Sequence, residues 1–194
     1  MRYYGATVDQ TELAQIANSD ADKGTSTQAM ADSLKKLTAR LGVKLRPLYD
    51  WNVADFLKMI EDYNKIAKKE KAQEIRLGSY MIDVQEILQK MDPNIYRQVR
   101  LKKASDESKF QRDIVRNIDE GIPLLWSVNF GMVPEGNVKQ YSGGHMRLII
   151  GYNTAKKEII YSDSWGPGHE QKRMSLEDAW VITSGLSSLQ PIGS

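Results

Sequence analysis

Apolar positions recur at helical spacing through the first two thirds of the chain and at strand spacing through the last third. In GTSTQAMADSLKKLTARLG, Met30, Leu34, Leu37 and Leu41 fall on one face, with Ser26 or Thr27 placed to cap the start and Gly42 to stop it. VDQTELAQIAN opens with Asp9 and Glu12 at capping-box spacing and carries Leu13, Ile16 and Ala17 on one side. From Asn52, the series Val53, Phe56, Ile60 and Tyr63 predicts a third helix that runs into KIAKKEKAQEIR. IDVQEILQKMD reads as a short fourth helix, with Asp83 and Glu86 at its start and Pro93 just past its end. YRQVRLKK is a connection to the next helix, SDESKFQRDIVRNIDEG, where Phe110, Ile114 and Ile118 form one stripe and Gly121 terminates it.

Then the period changes. PLLWSVNF, HMRLIIGYN and EIIYSD are apolar runs of strand length, rich in β-branched and aromatic residues. An earlier short strand is predicted at VKLRPLY, where Pro47 marks an edge or an end. Ser175 opens a last helix, SLEDAWVI. There is no internal repeat and no low-complexity linker. The order predicts an α+β fold in a single domain over 1–194, with helices first and an antiparallel sheet at the C-terminal end.

Composition narrows the function less than the pattern narrows the fold. A chain of 194 residues, 41% hydrophobic and 27% charged, suffices for one sizeable core. A net charge of +2 gives no global reason to expect nucleic acid or an anionic membrane as partner. No apolar run approaches the ~20 residues of a spanning helix, so no membrane insertion is expected. Cysteine is absent, which removes disulfides, thiolate metal ligands and a thiol nucleophile from these residues.

The candidate chemistry sits in SGGHMRLIIGYNTAKKEIIYSDSWGPG. If the two strands pair around a three-residue loop, Asn153-Thr154-Ala155, Tyr152 faces Lys156 and His145 lies directly opposite Asp163. Opposed residues have Cβ atoms roughly 4.5–5.5 Å apart, near enough for a carboxylate to orient an imidazole. A one-residue slip would turn the two side chains to opposite faces. Gly143 and Gly144 let backbone pass close and leave the approach to His145 unblocked. Trp165, two residues after Asp163, is placed to cover the pair. The structural alternative is plain: a His at a strand start is commonly packed or solvated, and an Asp before a Gly-Pro-Gly turn is commonly a turn residue.

GGHMRLIIGYN followed by IIYSDSWG resembles the His and Asn/Asp segments of papain-fold cysteine peptidases. The first forty residues, beginning RYYG, are similar to the region after the catalytic helix in bacteriocin-processing, double-glycine-leader peptidases. The likeness covers roughly residues 1–48 and 110–183. Residues 49–109 read as a helical, charged insert with no counterpart. The resemblance implies a papain-like fold that lacks its first helix in this chain. It implies His145 as the general base toward a thiol and Asp163 as the carboxylate holding the other ring nitrogen, with Trp165 and Gly144 shielding the site.

The nucleophilic Cys and the Gln of the oxyanion hole have no positions here. Ser142, Ser162 and Ser164 are poor substitutes, because they sit on the strands carrying the pair rather than on a facing helix. The implied activity is peptide-bond hydrolysis by acyl transfer on a peptide or protein substrate, without cofactor, and inactive for want of the nucleophile. The alternative is a non-catalytic module of the same fold that binds or recruits peptides. A missing central helix would uncover on the order of 400 Å² of apolar surface, about 10 kcal/mol at ~25 cal/mol/Å². Something is therefore expected to cover the groove beside His145: the charged insert, a second copy through self-association, or a peptide.

Two further readings carry less. Arg97, Arg100, Lys102, Lys103 and the lysines near 65–71 could meet nucleic acid, but Glu70, Glu74, Asp106 and Glu107 interrupt them. His145, Asp163 and His169 form an acceptable metal-ligand set with no evident fourth member, so no metal is expected.

Overall fold

The computed structural model describes residues 9–20, 25, 27–78, 82–136, 143–165 and 167–192. Two helices lead, α1 (Gln10–Ile16) and α2 (Thr27–Leu41). Asp9 caps α1 by accepting from the Thr11 and Glu12 N–H groups, and Gly42 leaves α2 at φ 63°. The apolar stripe of α2 lands where its spacing requires. Leu34 and Leu37 pack with Val43 and Leu189, and Met30, Leu13 and Ile16 close around them. Ser26, the RYYG stretch, Ser142 and Gly166 lie outside the described residues.

Strand β1 (Val43–Asp50) leads into α3 (Val53–Glu70), α4 (Val84–Lys90), α5 (Pro93–Leu101) and α6 (Ala104–Asp119). α5 runs through most of YRQVRLKK, where the sequence pattern predicts only a connection. Pro93 does not merely follow α4; it is the first residue of α5, behind Asp92, whose carboxylate accepts from Asn94 and Ile95 N–H. A proline at that position costs nothing, because its absent N–H would have had no partner within the helix.

The remaining strands are β2 (Leu124–Phe130), β3 (Gly143–Asn153), β4 (Glu158–Ser162), β5 (Lys172–Ser175) and β6 (Thr183–Pro191), with α7 (Leu176–Ile182) between the last two. They form a six-stranded antiparallel sheet in the order β1-β6-β2-β3-β4-β5. The molecule is thus α+β. β1 is the edge strand that Pro47 foretold, with a register shift between Pro47 and Tyr49. β5 and β6 were not legible: TSGLSSLQP has little apolar content, and it is held between β1 and β2 by ladders on both sides.

The sheet separates two unequal cores. On one face Trp126, Val128, Ile149, Tyr161 and Leu186 pack with Phe56, Ile60, Tyr63, Ile114 and Trp180 in the main cluster. On the other, Leu125 and Leu189 meet α1 and α2. The charged segment 49–109 therefore does not cover a groove on the α1–α2 side; its helices supply the opposite face. The α1–α2 side has a groove of about 530 Å³ lined by both helices and by Leu125, Met146, Leu148, Asp163 and Ser164, to which residues 49–109 contribute nothing among the described residues. Met146 and Leu148 alternate with His145 along β3 and His145 is not in the lining, but Arg147 and Asp163 are, so the groove reaches the carboxylate that holds the imidazole.

Candidate functional site

The β3–β4 hairpin does not have the register assumed from sequence. Its loop is four residues, Thr154–Lys157, closed by a Lys157 N–H to Thr154 C=O bond with Lys157 at φ 51°. Asn153 therefore pairs with Glu158, and Tyr152 with Ile159 rather than Lys156. That offset of three is odd. Carried along an unbroken ladder, it would place Asp163 on the face opposite His145. A β-bulge between Ile149 and Gly151 takes back one residue, and Leu148 pairs with Ser162. The net offset is two, so the two side chains share a face as diagonal neighbours and not as an opposed pair.

The diagonal is short enough. His145 Nε2 lies 2.6 Å from Asp163 Oδ1. The Asp163 side chain has no exposed surface and that of His145 retains 17%. Burial alone would raise the Asp163 pKa. The hydrogen bonds and charges of His145 and Arg147 outweigh it and hold the carboxyl at about 2, below the ordinary 3.8. The Ser164 N–H donates to the same Oδ1 at 2.7 Å, and the Asp163 N–H donates to the His169 carbonyl at 2.8 Å. An ionised carboxylate can only accept, so Nε2 carries the proton that it shares with Asp163. Nδ1 is then the ring nitrogen with a lone pair for an incoming proton.

Sequence reasoning missed the partner that anchors Asp163. Arg147, two residues along β3 on the same face, donates from Nε to Asp163 Oδ2 at 2.8 Å. Its Nη1 and Nη2 grip Glu135 at 3.1 and 2.9 Å, and Tyr161 donates its hydroxyl to Glu135 at 3.0 Å. The guanidinium also lies 4.7 Å from the Phe130 and Tyr161 ring centroids. Burial opposes its charge, yet the two carboxylates raise the Arg147 pKa above the ordinary arginine value. The one available signal was an arginine in the middle of an otherwise apolar strand, at the spacing that places it on the histidine's face.

Trp165 stacks on the imidazole, centroids 4.9 Å apart, and on Phe130 at 5.3 Å; Phe130 in turn lies 5.1 Å from His145. The imidazole thus sits among aromatic rings, with Trp165 itself 36% exposed. Gly144 faces Gln85 of α4: a Cβ there would come within 3.4 Å of Gln85 Nε2. The Gln85 Oε1 atom is buried and has no hydrogen-bond partner. His169 packs edge-on against Trp165 at 5.7 Å. Among the described residues no group of three or more His, Cys, Asp or Glu is arranged to hold a metal ion, and no helix is long and apolar enough to cross a membrane.

Of the basic residues considered for nucleic acid, Arg97, Arg100 and Lys102 are engaged internally. Arg97 pairs with Glu177 and Asp178, and Lys102 pairs with Asp62 at 3.0 Å. Arg100 donates to the carbonyls of Trp180, Val181 and Thr183.

A sequence profile of the family described as Peptidase C39 like matches residues 52–188. The match takes in the charged segment and both hairpin strands, and it begins after the first fifty residues. No curated protein matches the chain.

Proposed function

The chain belongs to the Peptidase C39-like family, and from that premise we propose that it carries the base-bearing part of a papain-type cysteine-peptidase site. His145 is the general base through Nδ1. Asp163 fixes the tautomer and the ring orientation through Nε2, and Trp165 limits water at their contact. The chemistry is acyl transfer: a thiolate attacks a peptide carbonyl, an acyl-enzyme forms, and water releases it. With no cysteine among the 194 residues, the chain by itself does not hydrolyse peptides. The observation that carries this reading is the 2.6 Å contact between His145 Nε2 and a buried, ionised Asp163.

The absence of cysteine also favours the second reading, a peptide-binding module that keeps the fold and does no chemistry. One experiment separates them. A fluorogenic peptide library is offered to the chain alone and with a Cys-bearing amphipathic helical segment supplied in trans. Thiol-dependent cleavage that appears only with the segment, and is lost in His145→Ala while the fold is retained, supports the base assignment. Cleavage undiminished in His145→Ala would defeat it. Saturable peptide binding with no cleavage under either condition selects the binding module.

A further inference from the structure

A second cleft lies at the opposite end of the sheet, where β1 is separated from β3 by β6 and β2. It opens between the end of β1, α3 and the α5–α6 pair, with a volume of about 460 Å³. That lies inside the ~300–1,000 Å³ range of small-molecule sites. One part of its wall is aromatic: Tyr49 and Phe110 flank Trp180 at 5.1 and 5.6 Å, and Trp51 stands toward α3, while much of the remaining lining is charged.

The polar groups in this cleft are unevenly satisfied. Arg100 lies over Trp180 at 4.2 Å and spends four of its five N–H groups on Tyr49 and three backbone carbonyls, leaving one on Nη1 without a partner among the described residues. The Tyr49 hydroxyl oxygen accepts twice, from Trp51 Nε1 at 2.6 Å and from Arg100 Nη1 at 3.0 Å. A phenol that accepts two N–H donors must send its own proton to a third group. No acceptor for it is found among the described residues. Both residues line the cleft. It therefore presents two donors, one borne by a permanent cation, between faces of aromatic rings.

The rim does not decide the ligand's charge. Lys58 and Lys103 are exposed, but so are Asp50 and Asp55, and exposed charges are worth little. The less exposed Asp62 and Asp113 also line the cleft but are already paired with Lys102 and Lys109, so the unspent inner donors decide it. They repel a cation and leave a neutral apolar molecule without use for either proton.

We infer that this cleft binds a carboxylate attached to an apolar or aromatic body. The carboxylate accepts from the Tyr49 hydroxyl and the remaining Arg100 Nη1–H, while the body lies against Trp51 and Phe110. This site is independent of His145 and of any peptidase chemistry.

The test uses the four tryptophans as reporters, followed by their indole ¹H–¹⁵N signals during titration with 3-phenylpropionate. Trp51 and Trp180 should shift saturably in the low-millimolar range or tighter. Trp165, beside His145, should not move. 3-Phenylpropionamide should bind about tenfold more weakly or worse, and phenethylamine should not bind, because each removes the charge that the donors were left to meet. Tyr49→Phe should weaken the acid by about tenfold, with the Trp126 signal unmoved as the check on folding. Equal binding of the amide, preferential binding of the amine, shifts confined to Trp165, or no saturable shift would each overturn the assignment.

Discussion

Arg147→Met is the change that best separates a structural account of the His145–Asp163 pair from a merely geometric one. Arg147 and Asp163 have no exposed side-chain surface and Glu135 retains 7%. Methionine fills a similar length of space but leaves two carboxylates facing each other where one guanidinium had joined them. Removing one partner from a buried ion pair costs about 3–5 kcal/mol, since the desolvated charge remains without compensation. A domain of this kind has only about 5–15 kcal/mol in all. Equilibrium urea unfolding near neutral pH should therefore show a loss of about 3–5 kcal/mol for Arg147→Met. The double variant Arg147→Met/Glu135→Gln should recover at least ~1 kcal/mol, because one of the two uncompensated charges is gone. The Asp163 carboxyl should also titrate above its present value of about 2. A single variant within ~1 kcal/mol of the parent would refute the reasoning, as would a double variant no more stable than the single.

Further outcomes follow from individual contacts. The Asp163 pKa is depressed from 3.8 to about 2, so its contribution is fully present above 3.8 and is lost as pH falls through about 2. The difference amounts to about 2 kcal/mol; unfolding midpoints taken down that range should fall less steeply for Asp163→Asn, and equal slopes would count against the coupling. Trp165→Ala should cost about 1–2 kcal/mol and shift the His145 ring-proton resonances as the stacked indole is removed; unmoved resonances would mean that the stack does not form in solution. Gly121 leaves α6 at φ 72°, so Gly121→Ala should destabilise by about 1 kcal/mol and Gly121→Asn by less, measured by thermal unfolding.

What was legible in the sequence is what local physics decides. The starts of α1 and α4 follow from Asp9 and Asp83, whose side chains meet the two N–H groups ahead of them, and the stop of α2 follows from Gly42. What was illegible depends on partners distant in the chain. β6 is a strand because β1 and β2 flank it, not because TSGLSSLQP favours one. Arg147 is buried because Glu135 and Asp163 converge on it from two other segments; alone on a strand it reads as a solvent-facing charge. The His145–Asp163 pair combines both cases. Residue types and approximate spacing marked it, but the three-residue loop assumed for the hairpin was not the loop formed. With the four-residue turn alone, the two side chains would stand on opposite faces of the sheet. The bulge at Ile150 restores the parity, and no propensity of Ile150 or Gly151 announces it. The pair survives because face membership depends only on whether the register offset is even. That is why spacing within a hairpin can identify a constellation correctly while misplacing each of its members along the strand.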